Sequence, residues 1–71
     1  MKLGIYRHTK SGREYRVLFV AKHSETLEDF VIYEAQYEND MSKYWARPVA
    51  MFLEQIEIDG TLKPRFEFLR D

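Results

Sequence analysis

Arginine and aromatic residues are the side chains of this sequence with the clearest binding chemistry. The stretch Trp45-Ala46-Arg47-Pro48 contains the single tryptophan of the chain. In an extended strand, side chains two residues apart point the same way, so Trp45 and Arg47 would share a face. A guanidinium group stacks on aromatic rings and holds carboxylate or phosphate through paired hydrogen bonds. Alternatively, Trp45 seals the core and Arg47 pairs with Glu54 or Glu34 at the surface.

A binding face is predicted from charged and polar residues that interrupt otherwise apolar motifs. Its members are Arg7, His8, His23, Glu25, Tyr33, Arg47 and Arg65. We expect a non-catalytic interaction or ligand-binding module, with a peptide or protein as its partner. Binding of single-stranded nucleic acid or of a nucleotide is the alternative, because aromatic residues and arginines also stack on bases. Acidic residues in the loops, such as Glu38 and Asp40, disfavour a long polyanion.

Catalytic and metal chemistry have weaker support in the spacing of the residues. His23 and Ser24 are adjacent, and adjacent side chains of an extended chain point to opposite faces, so they do not form a nucleophile and base pair directly. A small enzyme that uses the region of His23 and Glu25 stays a second alternative. A metal site at His8 and His23 would need a third ligand, and the chain has no cysteine. We therefore expect no catalytic residues, no metal and no cofactor.

Composition limits the classes of protein that remain. A chain of 71 residues encloses one core, so we expect a single domain over residues 1–71. The net charge of -1 is not the basic excess that duplex DNA or an anionic membrane requires. No apolar stretch approaches the roughly 18 residues of a membrane span, and no signal peptide is evident. A cytoplasmic protein without a membrane partner is the expectation, and the oligomeric state stays open.

Short strands are the elements that must position these side chains. Alternation of apolar and polar residues, or a high content of β-branched and aromatic residues, predicts strands over 3–8, 14–22, 30–37, 44–47, 55–58 and 65–70. The run Val17–Ala21 is apolar throughout, which indicates a central strand that is covered on both faces or strongly bent. Pro48 cannot continue a ladder and suits the start of a helical turn, which would place Met51 and Phe52 on the core. The pattern predicts an all-β domain, a small SH3-like antiparallel β-barrel with one short helical turn after Pro48.

Five motifs of the chain occur in one order and at a characteristic spacing. They are Gly4-Ile5-Tyr6-Arg7-His8, His23-Ser24-Glu25-Thr26, Val31-Ile32-Tyr33, Trp45-Ala46-Arg47-Pro48 with Met51-Phe52, and Pro64-Arg65-Phe66. Together they resemble the bacterial domain of unknown function 1653 family over about Leu3 to Phe68. The resemblance implies an SH3-like β-barrel of about this length, found alone or attached to other domains, including nucleotide-handling enzymes. It implies no known catalytic residues.

Overall fold

Seven strands and one helical turn make up the fold. The structure is a computed structural model that describes residues 1–71. The elements are β1 Gly4–His8, β2 Glu14–Lys22, β3 Asp29–Ala35, β4 Tyr44–Pro48, α1 Val49–Phe52, β5 Gln55–Ile58, β6 Thr61–Pro64 and β7 Phe66–Arg70. The all-β class and the helical turn after Pro48 are therefore confirmed. No helix has both the length and the apolar character that a membrane crossing requires.

The main sheet has five antiparallel strands in the order β4-β3-β2-β1-β7, and β5 and β6 form a separate two-stranded sheet. The strand predicted to be central, β2, is the middle strand. Strands β4 and β7 each have one neighbour. The backbone ladders thus leave the main sheet open between these two edges, and they do not close it into a barrel.

A bulge explains why the apolar run in β2 is not fully buried. The pairing of β2 with β3 changes register between Val17 and Phe19. Because a bulge inserts an extra residue and bends the strand, side chains on its two sides face differently. Val17 is buried, whereas Phe19 and Val20 are 52% and 43% exposed. Of the two predicted explanations, the structure shows the bent strand.

The core lies on one face of the sheet and is closed by α1. Phe52 is 1% exposed and stacks on Phe66, with ring centres 4.0 Å apart. Tyr6 and Tyr33 contact Phe52 edge to face, at 5.3 and 5.5 Å. These edge-to-face and offset contacts are the arrangements that aromatic rings prefer. A cluster of rings therefore fixes α1 against the sheet.

The prediction that Met51 joins the core is wrong. Met51 is 44% exposed, although its neighbour Phe52 is buried. In a single helical turn, residues three apart lie on one side, so Val49 and Phe52 share the side that faces the sheet. Val49 does pack against the core cluster. The helical spacing leaves Met51 on the solvent side.

Strands β5 and β6 form the hairpin that Asp59-Gly60 predicts. Asp59 and Gly60 have φ angles of 52° and 78°. Two consecutive residues with positive φ are the requirement of a type I′ turn, and the sequence Asp-Gly is among those that favour it. The turn joins Ile58 to Thr61, which pair directly across the ladder.

Candidate functional site

A cleft of about 300 Å³ opens on the core side of the sheet, where the ends of several strands meet. We call it the arginine–aromatic cleft. Its lining residues are His8, Ser11, Arg13, Tyr15, Tyr33, Tyr37, Asn39, Met41, Trp45, Arg47 and Phe66. None of them is acidic, in a chain that has 12 acidic residues. The charge of the cleft therefore differs from that of the molecule as a whole.

Strand pairing places the lining residues together. Tyr33 in β3 lies directly opposite Trp45 in β4, and His8 in β1 lies opposite Phe66 in β7. Directly paired residues share a face of the sheet, as do residues two apart on one strand. Arg47 thus joins Trp45 on the same face. The remaining contributors come from β2 and from the two loops over residues 9–13 and 36–43.

Two arginines lie on ring faces in the cleft. The guanidinium carbon of Arg13 is 4.7 Å from the centre of the Tyr37 ring, and that of Arg47 is 5.6 Å from the centre of the Phe66 ring. The five ion pairs of the chain involve other basic residues. Neither guanidinium group thus has a carboxylate within 4.0 Å. A group stacked in this way keeps N–H donors at its edge for a ligand.

Arg47 was expected either to bind a ligand or to pair with Glu54 or Glu34, and the pairing prediction is wrong. Arg65 lies 4.0 Å from Glu54, and Lys43 lies 3.4 Å from Glu34. Both carboxylates therefore have other partners. The one protein hydrogen bond of the Arg47 side chain is long, 3.4 Å from Nε to the hydroxyl of Tyr33. Its two terminal nitrogens keep all their donors.

Trp45 combines the two roles that its sequence context suggested. Its ring is half-buried and packs against the core cluster, and it also lines the cleft. The indole N–H donates to the backbone oxygen of Ser42 over 3.1 Å. Trp45 takes part in none of the aromatic pairs or cation–π contacts of the chain. The indole is therefore an aromatic surface in the cleft without a stacking partner.

The hydroxyl groups of Tyr15 and Tyr37 lie 2.6 Å apart and share one hydrogen bond. Burial, and then the hydrogen bond with Tyr37, raise the pKa of Tyr15 to about 12. Both causes favour the neutral phenol, so Tyr15 is protonated at pH 7. Because two hydroxyl groups that share one bond use only one of their hydrogens, the pair has a second hydrogen to donate.

His8 and Ser11 form a contact that resembles a nucleophile and its base. The hydroxyl oxygen of Ser11 lies 2.8 Å from His8 Nδ1, but the backbone N–H of Ser11 also donates to Nδ1, over 3.3 Å. Nδ1 therefore accepts, and the ring hydrogen is on Nε2. No carboxylate lines the cleft to orient Nε2, as a catalytic dyad would need. The contact closes the turn between β1 and β2.

Positive charge surrounds the imidazole of His8. Burial lowers the pKa of His8 most, and the charges of Arg47, Arg65 and Lys10 lower it further. All three of these charges disfavour the imidazolium, and no acidic group opposes them. Arg65 also has a buried Nε without a hydrogen-bond partner. This end of the sheet is therefore a region of positive potential.

Three of the seven site residues predicted from the sequence meet in the cleft: His8, Tyr33 and Arg47. A fourth, Arg65, lies close enough to act on the charge of His8 but does not line the cleft. Arg7 is exposed and pairs with Glu67. It alternates with Tyr6 and His8 along β1, so it points to the opposite face.

His23 and Glu25 lie far from the cleft, in the turn between β2 and β3. Tyr15 lies near the start of β2 and Lys22, which precedes His23, at its end; the seven residue steps between them span at most about 23 Å at roughly 3.3 Å per residue. His23 Nδ1 accepts hydrogen bonds from the backbone N–H groups of Glu25 and Thr26, at 3.1 and 3.3 Å. Its ring rests beside Phe30, with centres 5.8 Å apart. Here too the imidazole closes a turn.

Arg13 is the main cleft residue that the sequence prediction omitted. It follows Gly12 in the first turn and stands two residues before Tyr15, which lines the same cleft. That spacing would have placed the two side chains on one face if the strand had been extended back by one residue. Asn39 and Met41 had no such signal, because their loop brings them to the cleft only in three dimensions.

Comparison with known proteins identifies the family. The family model described as "Protein of unknown function (DUF1653)" matches residues 4–68, and no curated protein matches the chain. A crystal structure of a DUF1653 protein from Bordetella bronchiseptica is similar, with a TM-score of 0.91 and 29% identity over 97% of this chain and 87% of that chain. Since the family match spans nearly the whole sequence, as the five motifs indicated, this chain belongs to the DUF1653 family.

Proposed function

We propose that this domain is a non-catalytic binding module that receives an anionic group of its ligand in the arginine–aromatic cleft. The observation that carries the proposal is that Arg13 and Arg47 line a cleft without acidic residues and have no carboxylate partner. Unpaired arginines on a protein surface repel one another. A bound anion would remove that repulsion and form charge-assisted hydrogen bonds.

Both partner classes expected from the sequence are compatible with such a cleft. A peptide or protein partner would insert an acidic residue between the arginines, with an apolar neighbour against Trp45. A nucleotide would place its phosphate there instead. A catalytic role has less support, since the imidazoles of His8 and His23 each use Nδ1 to accept backbone N–H groups. The proposal is therefore recognition of an anion, whichever molecule carries it.

The single tryptophan provides the test, because Trp45 lines the cleft and its fluorescence reports on what binds there. The purified domain is titrated at low ionic strength with a glutamate-rich peptide, inorganic phosphate and adenosine 5′-monophosphate, and with neutral counterparts of each. We expect at least one anion to change the emission saturably. We also expect salt to weaken the effect, because screening reduces attraction between charges.

Arginine variants distinguish the cleft from general electrostatic attraction. Arg47→Met removes one guanidinium and should weaken anion binding by about tenfold or more, since a hydrogen bond to a charged group is worth about 1.5–3 kcal/mol. Arg16→Met is the matched control, because Arg16 is exposed on β2, lacks an ion pair and does not line the cleft. Equal loss of affinity in both variants, or no response to any anion, would contradict the proposal.

A further inference from the structure

The hydrogen-bonding groups of the cleft are nearly all donors. Arg13 offers its guanidinium, Arg47 its two terminal nitrogens, and His8 its Nε2–H. Asn39 Oδ1 already accepts the backbone N–H groups of Met41 and Ser42, at 2.9 and 3.0 Å, so its side-chain NH₂ remains to donate. The side-chain oxygens that remain as acceptors are those of the phenols and of Ser11, whose hydroxyl oxygen already accepts the backbone N–H of Arg13 over 3.3 Å. Such a set matches a group with many acceptor oxygens and more than one negative charge, which describes a phosphate better than a carboxylate.

The unpartnered indole of Trp45 adds a second requirement. The rings of Tyr15, Tyr33 and Phe66 contact one another edge to face. Their surfaces are therefore occupied by contacts within the protein. Trp45 has no such partner, and Met41, 82% exposed, lies on the same cleft. A flat ring that stacks on the indole would bind more tightly, as bases do on aromatic side chains. The ligand is therefore expected to join a phosphate to a flat ring.

The size and surroundings of the cleft limit the ligand to a single phosphate joined to a single flat ring. At about 300 Å³ it is at the lower end of the range of about 300–1,000 Å³ for ligand pockets. The adjoining depression, which shares Tyr37 and Asn39 with the cleft, is lined by two carboxylates, Glu38 and Asp40, and by one cation, Lys43, which is already paired with Glu34. A second phosphate that continued in this direction would meet those carboxylates. Like charges in contact cost free energy, so the acidic loop selects against a longer strand on that side.

From these three observations, and resting on the function proposed above, we infer that the cleft binds a single nucleotide with a terminal phosphate. The phosphate lies between Arg13 and Arg47, with His8 Nε2–H as a further donor. The base stacks on Trp45. The same chemistry has two sources, a free nucleoside monophosphate and the phosphorylated end of a nucleic-acid strand, and the acidic loop favours the free nucleotide.

Calorimetric titration of the whole chain tests the inference. The probes are adenosine 5′-monophosphate, adenosine, inorganic phosphate, a 5′-phosphorylated hexanucleotide and a peptide that contains phosphotyrosine. We expect the monophosphate to bind at least about tenfold more tightly than adenosine or phosphate alone, because only the monophosphate uses both arginines and Trp45. Arg47→Met should abolish that preference for the monophosphate over adenosine. Trp45→Phe should reduce the affinity for the monophosphate and leave that for phosphate unchanged.

Any other result would contradict the inference, and each result would point to a different reason. A phosphotyrosine or acidic peptide that binds most tightly would identify a protein partner, and the proposed anion-binding function would stand. A hexanucleotide that binds more tightly than the monophosphate would identify a strand-binding site. If the monophosphate bound no more tightly than inorganic phosphate, the ligand would not need a flat ring. Absence of binding by every anion would end both this inference and the proposed function. These comparisons use the unmodified protein, so they hold even if a variant does not fold.

Discussion

The two histidines of the chain stabilise two different turns in the same way. His8 Nδ1 accepts the backbone N–H of Ser11, and His23 Nδ1 accepts those of Glu25 and Thr26. Because Nδ1 of His8 accepts, its imidazole carries the hydrogen at Nε2 and is uncharged. In that state, His8 holds the turn that carries Arg13 into the cleft. Protonation would put a hydrogen on Nδ1 and oppose the turn.

His8 should make the stability of the protein depend on pH. Burial and the nearby cations lower the pKa of His8 below its ordinary value of about 6.5. On acidification the unfolded chain takes up this proton before the folded protein does. Stability is therefore full above about pH 6.5 and falls as the pH decreases towards the lower pKa of the folded state. We expect the urea midpoint to fall between pH 7 and pH 5, and to fall less in His8→Gln.

The pH dependence, and not the absolute stability, is the quantity to compare, because His8→Gln also alters the turn. Arg16→Met provides the control, since it changes an exposed residue of β2 outside both turns and leaves both imidazoles in place. Carboxylates also titrate as the pH decreases, but they do so equally in all three proteins. If wild type and His8→Gln lost the same stability between pH 7 and pH 5, the linkage to His8 would be disproved.

At the scale of elements, the helical turn α1 has a structural effect much larger than its four residues suggest. Pro48 fixes its start and ends the ladder of β4, as expected from a residue that lacks an N–H group. The turn then places Phe52 against three other rings at the centre of the core. Phe66, which stacks on Phe52, also lines the cleft and supports the guanidinium of Arg47. The core and the candidate site are thus in direct contact.

Adjacent residues of α1 should differ sharply in their effect on stability. Phe52→Leu removes the stacked ring from a site that is 1% exposed, so we expect a loss of about 1–3 kcal/mol. Met51→Ala changes a side chain that is 44% exposed and should cost about 0.5 kcal/mol or less. Urea unfolding of the two variants and wild type measures both values. Losses of equal size would mean that the helical turn does not face the sheet as described.

The hairpin of β5 and β6 is the element least connected to the rest. It forms its own two-stranded sheet, and every residue of β6 is exposed. At the base of the hairpin, the backbone N–H of Arg65 donates a hydrogen bond of 2.9 Å to the backbone oxygen of Glu54. An isolated two-stranded hairpin is only marginally stable in water. The hairpin is therefore held by its Asp-Gly turn together with the bonds at its base, which also include one from the Thr9 hydroxyl to the backbone oxygen of Pro64.

For the whole molecule, local patterns predicted the elements well and the cleft less well. Alternation and turn residues placed six of the seven strands near their true ranges, because these signals act within about ten residues; no strand was predicted over 61–64, where β6 lies. Burial was harder to predict: the bulge after Val17 exposes Phe19, and helical spacing exposes Met51. The cleft needs the pairing of distant strands and the position of the loop with Asn39 and Met41. Sequence alone does not specify that position. The choices at Arg7 and Arg13 have local causes: Arg7 alternates with His8 along β1 and so points to the opposite face, and Arg13 stands one residue before the predicted start of β2.

The distribution of charge over the molecule leads to the last prediction. The net charge is only -1, so general repulsion is small. Salt then has two local effects: it weakens the five ion pairs and it reduces repulsion between the cations around the cleft. As sodium chloride increases from about 0.02 to about 0.3 M, we expect the change in stability to be more favourable in wild type than in Arg47→Met by about 0.5–1 kcal/mol, because only wild type keeps both Arg13 and Arg47 while the ion pairs are the same in both proteins. Arg16→Met, changed outside the cleft, should behave like wild type. Thermal unfolding across the salt series measures the slopes. Equal slopes for wild type and Arg47→Met would show that repulsion between the arginines of the cleft does not destabilise the folded protein. Relief of that repulsion would then not favour the binding of an anion.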